Sequence, residues 1–402
     1  LKPGGLEDVT AAVSLLSSPF SAFFLCSIVM KVAPEQQTMD AIPPLQPQPE
    51  IPGNGCCCQC CGAGPKPIDV RKIVNDGGKF VQLADGRIVE YWTYGSEAVD
   101  AKIFIQVNGS MGSGKLYGNM PPLVKMLKEK NIKGVSVSVP GHGFSSNHPF
   151  RLVNEWARDD VEAVLKAEGV STDAPLMIEG SSFGAPHAFS LLHHFSARIT
   201  HAHLQVPNLP WDVSKELGLK EVDEGLKCLP SYPQKCFLIP GHCSSPCVFC
   251  CCVCCFDCCG AGDMAAGENK KHDAEIGFPM SKVQAENIKH AKAASIHGFV
   301  YNAMLPRLYS TWGFNPLKDT PEEHISKMKV MVSYGKDDKS SPEEHGRHLA
   351  TFFSEKCNKG GELNGPGNEK GGRCIVNFKE GGHSAHHVPY ATGELHEALF
   401  SM

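Results

Sequence analysis

The sequence lacks any block of lysine or arginine long enough to serve as a polybasic arm. Its 402 residues contain 38 Lys and Arg against 43 Asp and Glu, a formal net charge of −5 at pH 7. Proteins that bind nucleic acid through its phosphates need clustered positive charge. We therefore expect no nucleic-acid partner.

Cysteine is scarce over most of the chain, although the total of 19 is high. Fourteen cysteines lie in a first cluster (56–61) and a second cluster (243–259), and only five lie elsewhere. This pattern excludes a small fold held together by evenly spread disulfides. Three interpretations of the clusters stay open. They are thiolate metal sites (CxxC spacings such as Cys247 with Cys250 occur), acylation that anchors the chain to a membrane surface, and a low-complexity insertion with no fixed role.

No methionine begins the chain, and residues 9–30 form its longest apolar run. The length suits a membrane span of about 20 residues, but the run holds five Ser, a Thr and a Pro and has few positive flanks. A secretory signal peptide is a second option, although the start offers only Lys2 as a basic region. In the third option translation starts at Met30, and the apolar run is not part of the protein. We expect a cytoplasmic or membrane-associated protein.

The N-terminal segment, residues 1–67, is set apart from the rest by its composition. Residues 32–67 are rich in Pro, Gln, Gly and Cys, and such a stretch buries too little apolar surface to offset its ordering entropy. We predict a disordered linker there and an ordered domain over residues 68–402.

Beyond residue 70, short apolar runs alternate with helical patterns. Residues 79–95 predict a hairpin with its turn at Asp85 and Gly86. Further strands are predicted at 103–108, 134–140, 175–180, 199–206, 329–335 and 374–380, and helices at 122–130, 151–169, 182–195, 342–354 and from about 386 to 400. Strands that alternate with helices and are apolar throughout indicate an α/β fold, a mostly parallel sheet of about eight strands covered on both faces.

Two stretches interrupt this alternation. Residues 208–320 are too long for a loop in a compact domain. They contain the second cysteine cluster and a helical region near 281–310, so we predict a helical cap inserted between two strands. Residues 358–372 are rich in glycine and predict a mobile surface loop.

The sharpest motif is Gly180-Ser181-Ser182-Phe183-Gly184, which stands directly after a predicted strand and before a predicted helix. This is the G-x-S-x-G pattern in the context that makes a serine nucleophile. A side chain at either glycine would collide with the neighbouring strand or helix. We predict Ser182 as the nucleophile.

A serine hydroxyl needs a base to take its proton. His383 follows the last predicted strand and is preceded by two glycines, which let its loop reach over the strand ends. His386 and His387 are the competing candidates nearby. We predict His383 as the base.

Negative charge that develops on a carbonyl oxygen needs hydrogen-bond donors already in place. The N–H of Phe183, next to the nucleophile, is one predicted donor. The second is expected from the small-residue loop after the strand at 103–108, with Ser110 preferred and Gly109 beside it. The same loop matches the phosphate-loop pattern G-x-x-x-x-G-K, but Leu116 stands where the Mg²⁺-binding Ser or Thr belongs, which disfavours nucleotide binding.

From about residue 79 to its end the chain resembles the α/β-hydrolase superfamily, in the branch with a single cap. The matching segments are ADGRIVEYWTYG, IFIQVNGSMGSG, SVPGHGFSS, EGSSFGAPHAF, YGKDDKSSP and GGHSAHH. The resemblance implies a triad in the chain order Ser, Asp, His. One departure is Asn108, where many members carry histidine.

The acid is expected just after the strand at 329–335, where two candidates are adjacent. The Gly-x-x-Asp-x-x-x-Pro spacing that the resemblance implies favours Asp338 over Asp337, and Asp212 is a third alternative. The carboxylate would fix the tautomer of the base.

These residues together predict a serine hydrolase that cleaves an ester or thioester through an acyl-enzyme, without cofactor or metal. The partly apolar cap favours a small-molecule acyl or lipid-like ester as substrate. A non-catalytic receptor or scaffold, tethered to a membrane by acylated cysteines, is the alternative function. A lyase or transferase that uses the same triad is a third.

Overall fold

The structure is a computed structural model. It describes residues 42, 44–48, 67–109, 112–148, 151–219, 270–294, 312–357 and 373–402. All of these belong to one unit, Gln37–Met402.

Eight strands form a single sheet. They are β1 Lys79–Gln82, β2 Ile88–Gly95, β3 Lys102–Val107, β4 Ile132–Val137, β5 Leu176–Ser181, β6 Ile199–Gln205, β7 Lys329–Gly335 and β8 Cys374–Lys379. Their order across the sheet is β1-β2-β4-β3-β5-β6-β7-β8. The pairs β1–β2 and β2–β4 are antiparallel, and the others are parallel. The predicted mostly parallel α/β sheet is confirmed.

Helices connect the strands at most of the predicted positions. They are α1 Val70–Asn75, α2 Lys115–Gly118, α3 Pro121–Glu129, α4 (Val153–Glu155, the π-helical Trp156–Val161 and Glu162–Ala167 in succession), α5 Ala185–His194, α6 Trp211–Glu216, α7 Asp273–Ile276, α8 Met280–Ala291, α9 Glu322–Ile325, α10 Glu343–Cys357, α11 His387–Ala391 and α12 Glu394–Phe400.

Both faces of the central strands β3, β4 and β5 are buried, which explains why these strands are largely apolar rather than alternating. Neighbouring residues of one strand lie on opposite faces. On β3, Phe104 belongs to an apolar cluster with side chains of α2, α3 and α12, whereas Ile105 belongs to a second cluster with α4, α5 and α10. Met177 and Ile178 of β5 divide in the same way. The helices therefore cover the sheet on both sides.

The first hairpin forms as predicted. Leu83 N–H donates to the Arg87 carbonyl at 2.8 Å, and Gly86 has a φ of +84° that favours glycine. The Asp85 carboxylate accepts from the Arg87 backbone N–H at 3.0 Å. Local turn chemistry thus fixes the register of β1 on β2.

The single helix predicted from about 386 to 400 is wrong, because the chain forms two helices there. Gly393 lies between α11 and α12 with a φ of +89°. A residue in this left-handed conformation ends one helix and redirects the chain into the next.

Part of the predicted linker, residues 44–48, packs on the edge of the fold, so a disordered linker does not describe that part. Gln46 and the side chain of Gln82 exchange two hydrogen bonds, of 2.8 and 2.9 Å. The amide of Gln48 bonds both backbone polar groups of Ile68 at 2.9 Å. Leu45 also packs against the small apolar cluster that includes Ile73 and Phe80, so both amide hydrogen bonds and apolar contacts hold this segment.

Of the predicted cap, the structure describes α6, α7, α8 and short flanking segments, so the cap itself stays a prediction. Both cysteine clusters, the apolar run at 9–30 and the loop at 358–372 lie outside the described residues. Among the helices that the structure does describe, none combines the length and the hydropathy needed to cross a bilayer.

Candidate active site

Ser182 stands at the turn between β5 and α5 on a backbone that few side chains tolerate. Its φ is +53°, in the left-handed region that is uncommon for residues other than glycine. It begins the 3₁₀ turn Ser182–Gly184 and is 8% exposed. Backbone strain held at one polar residue is typical of a functional position.

The glycines that flank this turn are required by space. A Cβ on Gly180 would lie 2.5 Å from the Ala188 Cβ and 2.6 Å from the Gly184 carbonyl oxygen. A Cβ on Gly184 would lie 2.4 Å from the carbonyl oxygen of Val107 and 2.6 Å from that of Asn108. The predicted collisions are confirmed. The absence of side chains lets α5 begin close to the ends of β3 and β5, with the positive end of its dipole beside Ser182.

His383 and Asp338 come from loops far apart in the chain and meet Ser182 in a line. His383 Nε2 lies 3.0 Å from Ser182 Oγ, and His383 Nδ1 lies 2.7 Å from Asp338 Oδ2. The other carboxylate oxygen, Oδ1, accepts from the backbone N–H groups of Ser340 and Ser341 at 2.8 and 2.9 Å. The Asp338 side chain is buried, whereas that of His383 is 36% exposed. The imidazole thus has the buried Asp338 carboxylate on one side and is partly exposed to solvent on the other.

Glycines also explain how the two loops cross. A Cβ on Gly335, at the end of β7, would lie 2.7 Å from the carbonyl oxygens of both Gly381 and Gly382. The backbone N–H of Asp337 donates to the Gly381 carbonyl at 2.9 Å. The loop that carries the histidine therefore packs on the loop that carries the acid.

The alternative acids and bases lie elsewhere. Asp337 is exposed, in contrast to Asp338, and Asp212 belongs to α6.

The competing histidines are buried away from the serine. His386 is fully buried, and its Nε2 lies 3.0 Å from the carbonyl oxygen of Tyr334. His387 is buried with its ring 6.0 Å from that of His272. Of the predicted histidines, the structure brings His383 to the serine.

His386 should make stability fall as pH falls. Burial lowers its pKa from 6.5 to about 4, so the native state keeps it neutral while the unfolded chain takes up a proton below about pH 6.5. Its contribution to the free energy of unfolding is therefore lost as pH drops through this window, and about 2 kcal/mol is lost by pH 5.

His386→Gln keeps an N–H donor for Tyr334 but does not titrate. We expect urea unfolding at pH 7.5 and pH 5 to show a loss smaller by about 2 kcal/mol in the variant than in the wild type. Equal losses in the two proteins would contradict the assignment.

The loop after β3 lies directly on the serine. A Cβ on Gly109 would be 3.4 Å from Ser182 Cβ and 3.3 Å from the Ser181 carbonyl oxygen. The N–H of Gly109 donates to Oδ1 of Asn108 at 2.8 Å, so this predicted donor already has a partner within the loop. Phe183, whose N–H is the other predicted donor, is the second residue of the 3₁₀ turn. Ser110, the preferred second donor, lies outside the described residues.

Sequence reasoning missed a buried polar network centred on Glu179, three residues before the serine. Its carboxylate accepts from Gln106 at 2.8 Å and from the Tyr390 hydroxyl at 2.7 Å. Its Oε2 also lies 2.9 Å from a ring nitrogen of both His203 and His396. The only signal in the sequence is a lone glutamate in the apolar strand LMIEGS.

Glu179 is held as a carboxylate in spite of its burial. Burial, the largest influence, acts to raise its pKa, but the imidazoles of His396 and His203 act to lower it. On balance the pKa of Glu179 lies well below its usual range. The network is therefore charged, and it joins β3, β5 and β6 to α11 and α12 just below the serine.

No family model matches the chain, and no curated protein sequence matches it. Among solved structures, the chain is similar to a thermophilic esterase from Thermogutta terrifontis, with a TM-score of 0.50, 13% identity and coverage of 81% of this chain and 98% of that one. It is also similar to an esterase from Exiguobacterium antarcticum, with a TM-score of 0.49, 15% identity and coverage of 80% and 99%. The first likeness is one of fold, and the chain has the α/β-hydrolase fold that its sequence resembles.

Proposed function

We propose that this protein is a serine hydrolase that cleaves an ester or thioester. The observation that carries the proposal is the unbroken line from Ser182 Oγ through the His383 ring to Asp338 Oδ2, with spacings of 3.0 and 2.7 Å. These are hydrogen-bonding distances. They join an alcohol to a base, and the base to a buried anion that orients it.

The chemistry follows from this line. Ser182 Oγ forms a bond to the carbonyl carbon of the substrate, its proton passes to His383 Nε2, and the carbonyl oxygen becomes negative. The bond to the leaving group then breaks as the imidazolium returns the proton to it, which leaves an acyl-enzyme. Water repeats both steps with His383 as base and releases the acid. Asp338 stabilises the imidazolium in each half.

The oxyanion is stabilised by donors beside the nucleophile. The N–H of Phe183 and that of Ser110 take this role in the proposal, and one such donor typically contributes about 10²–10³ in turnover. Gly109 contributes by its lack of a side chain, which allows the loop to lie on Ser182. The partly apolar predicted cap favours an acyl or lipid-like substrate.

A fluorophosphonate probe tests the proposal, since it reacts only with an activated serine. We expect wild-type protein to be labelled and peptide mass mapping to locate the adduct at Ser182. Ser181→Ala is a matched control that leaves the neighbouring serine in place and should be labelled normally, whereas Ser182→Ala should not be labelled. Release of free acid from a simple ester separates hydrolysis from lyase or transferase chemistry.

Two results would contradict the proposal. Labelling that survives Ser182→Ala would move the nucleophile elsewhere. Wild-type protein that folds but neither reacts with the probe nor hydrolyses a short ester would favour the non-catalytic receptor or scaffold.

A further inference from the structure

Helix α8, which lies within the predicted cap, makes a buried polar contact with the loop that covers the nucleophile. Asn287 Oδ1 accepts from the hydroxyl of Ser113 at 2.8 Å and from its backbone N–H at 3.3 Å. The two residues are 174 positions apart. Ser113 is 1% exposed and Asn287 is 5% exposed, so water has little access to either. Without Asn287, two buried donors would lose their acceptor.

Ser113 is held to Asn108, the first residue after β3. Asn108 Nδ2 donates to the Ser113 carbonyl at 3.4 Å, and Asn108 Oδ1 accepts from Gly109 N–H at 2.8 Å. Gly112 packs on the same amide, since a Cβ there would lie 2.0 Å from Asn108 Nδ2. Gly109, Gly112 and Ser113 therefore all contact the Asn108 side chain, with Gly109 also against the serine and Ser113 against α8.

Helix α8 is itself fixed to the sheet. His290 Nε2 lies 3.1 Å from both carboxylate oxygens of Glu90, which is fully buried on β2. The Ala291 carbonyl accepts from Gly143 N–H at 2.9 Å. Asn287 thus lies about one helical turn before two residues that fix α8 to the rest of the fold. Its contact with Ser113 is therefore made from a helix that is held in place.

We propose that Asn287 is a positioning residue that, through Ser113 and the Asn108 side chain, fixes Gly109 on Ser182. Through Ser113, the position of α8 therefore determines how the residues after β3 are placed on Ser182. The inference rests on the proposed hydrolase function and deepens it, because it makes part of the predicted cap a component of the catalytic machinery rather than a cover for substrate alone. A displacement of about 1 Å at a reacting group costs up to about 10²-fold in rate.

The test compares Asn287→Leu, which is close in size but accepts no hydrogen bond, with the wild type on p-nitrophenyl acetate. The acetyl group is too small to need a binding surface on α8. We expect kcat to fall by about 10- to 100-fold with KM changed by less than about 3-fold, because the loss falls on the transition state. Asn287→Asp keeps the acceptor and should stay within about 3-fold of the wild-type kcat.

Glu286→Leu is the matched control, since Glu286 is the exposed neighbour on the same helix. We expect its kcat to equal that of the wild type. If Asn287→Leu does not fold, Ser113→Ala removes the shorter hydrogen bond from the loop side and should lower kcat by about 3-fold or more.

The outcomes separate this inference from the proposed function. Active wild-type protein together with an unchanged kcat in folded Asn287→Leu, or in folded Ser113→Ala, overturns the inference alone. A raised KM with unchanged kcat also overturns it, because the contact would then serve substrate binding. Wild-type protein that neither hydrolyses the ester nor reacts with a fluorophosphonate overturns the proposed function and the inference with it.

Discussion

Replacing Asp338 by asparagine lowers kcat for ester hydrolysis by about 10⁴-fold while the fold is kept. The reason is that the two oxygens of the Asp338 carboxylate have different partners. Oδ1 accepts from the backbone N–H groups of Ser340 and Ser341, and Oδ2 faces His383 Nδ1 at 2.7 Å. An asparagine must turn its carbonyl oxygen to the two backbone donors, so its NH₂ group faces the histidine.

The consequence for the base is a wrong tautomer. His383 Nδ1 would then have to accept a hydrogen bond, which places the proton on Nε2, the nitrogen that lies 3.0 Å from Ser182 Oγ. A protonated Nε2 in a neutral ring cannot take the serine proton. Steady-state kinetics on a short ester, with circular dichroism to verify folding, measures the effect.

Asp337→Asn is the matched control. It makes the same chemical change one residue earlier, at an exposed side chain, and should leave kcat within about 3-fold of the wild type. An equal loss in both variants, or full activity in Asp338→Asn, would show that the acid has been assigned to the wrong residue.

The features that could be predicted from the sequence depend on residues close together in the chain. The turn at Asp85 and Gly86, the elbow around Ser182 and the boundaries of β7 all follow from a local pattern of glycine and apolar residues. Backbone sterics at such positions admit few conformations. The position of Asp338 is also local, because it follows from the Gly-x-x-Asp-x-x-x-Pro spacing that the family resemblance implies just after β7.

The features that could not be predicted depend on contacts between distant segments. Nothing near Asn287 in the sequence indicates that it meets Ser113, and His290 has no local feature that pairs it with Glu90. Side-chain amides and imidazoles find buried partners only after the chain has folded. The contact between the Asn108 amide and the N–H of the adjacent Gly109 is local, but the two neighbouring residue types alone do not indicate it, and it altered the role expected for that glycine.

Glu179 should be among the most costly residues to truncate. Its carboxylate is buried and serves four partners, which are Gln106, Tyr390, His203 and His396. Glu179→Ala leaves their polar groups without an acceptor in a space that water does not reach, and it opens a cavity. We expect the free energy of unfolding to fall by about 3–5 kcal/mol, measured by urea unfolding at pH 7.5.

Glu129→Ala is the control for loss of a glutamate as such. Glu129 forms an exposed pair with Lys125, at 3.9 Å on α3, and its loss should cost less than about 1 kcal/mol. A cost for Glu179→Ala as small as that for Glu129→Ala would contradict the view that the network holds the strands together.

Glu179→Gln distinguishes the need for an acceptor from the need for a charge. The glutamine can keep its carbonyl oxygen toward Gln106 and Tyr390, while its NH₂ group faces the two imidazoles. His203 can accept this donor on Nδ1 by moving its proton to Nε2, where the Ser333 hydroxyl at 2.9 Å is able to accept. If hydrogen-bond partners are what matter, Glu179→Gln should lose less than about half as much stability as Glu179→Ala. Equal losses would mean that the buried negative charge itself, next to two imidazoles, holds β5, the strand that ends just before Ser182.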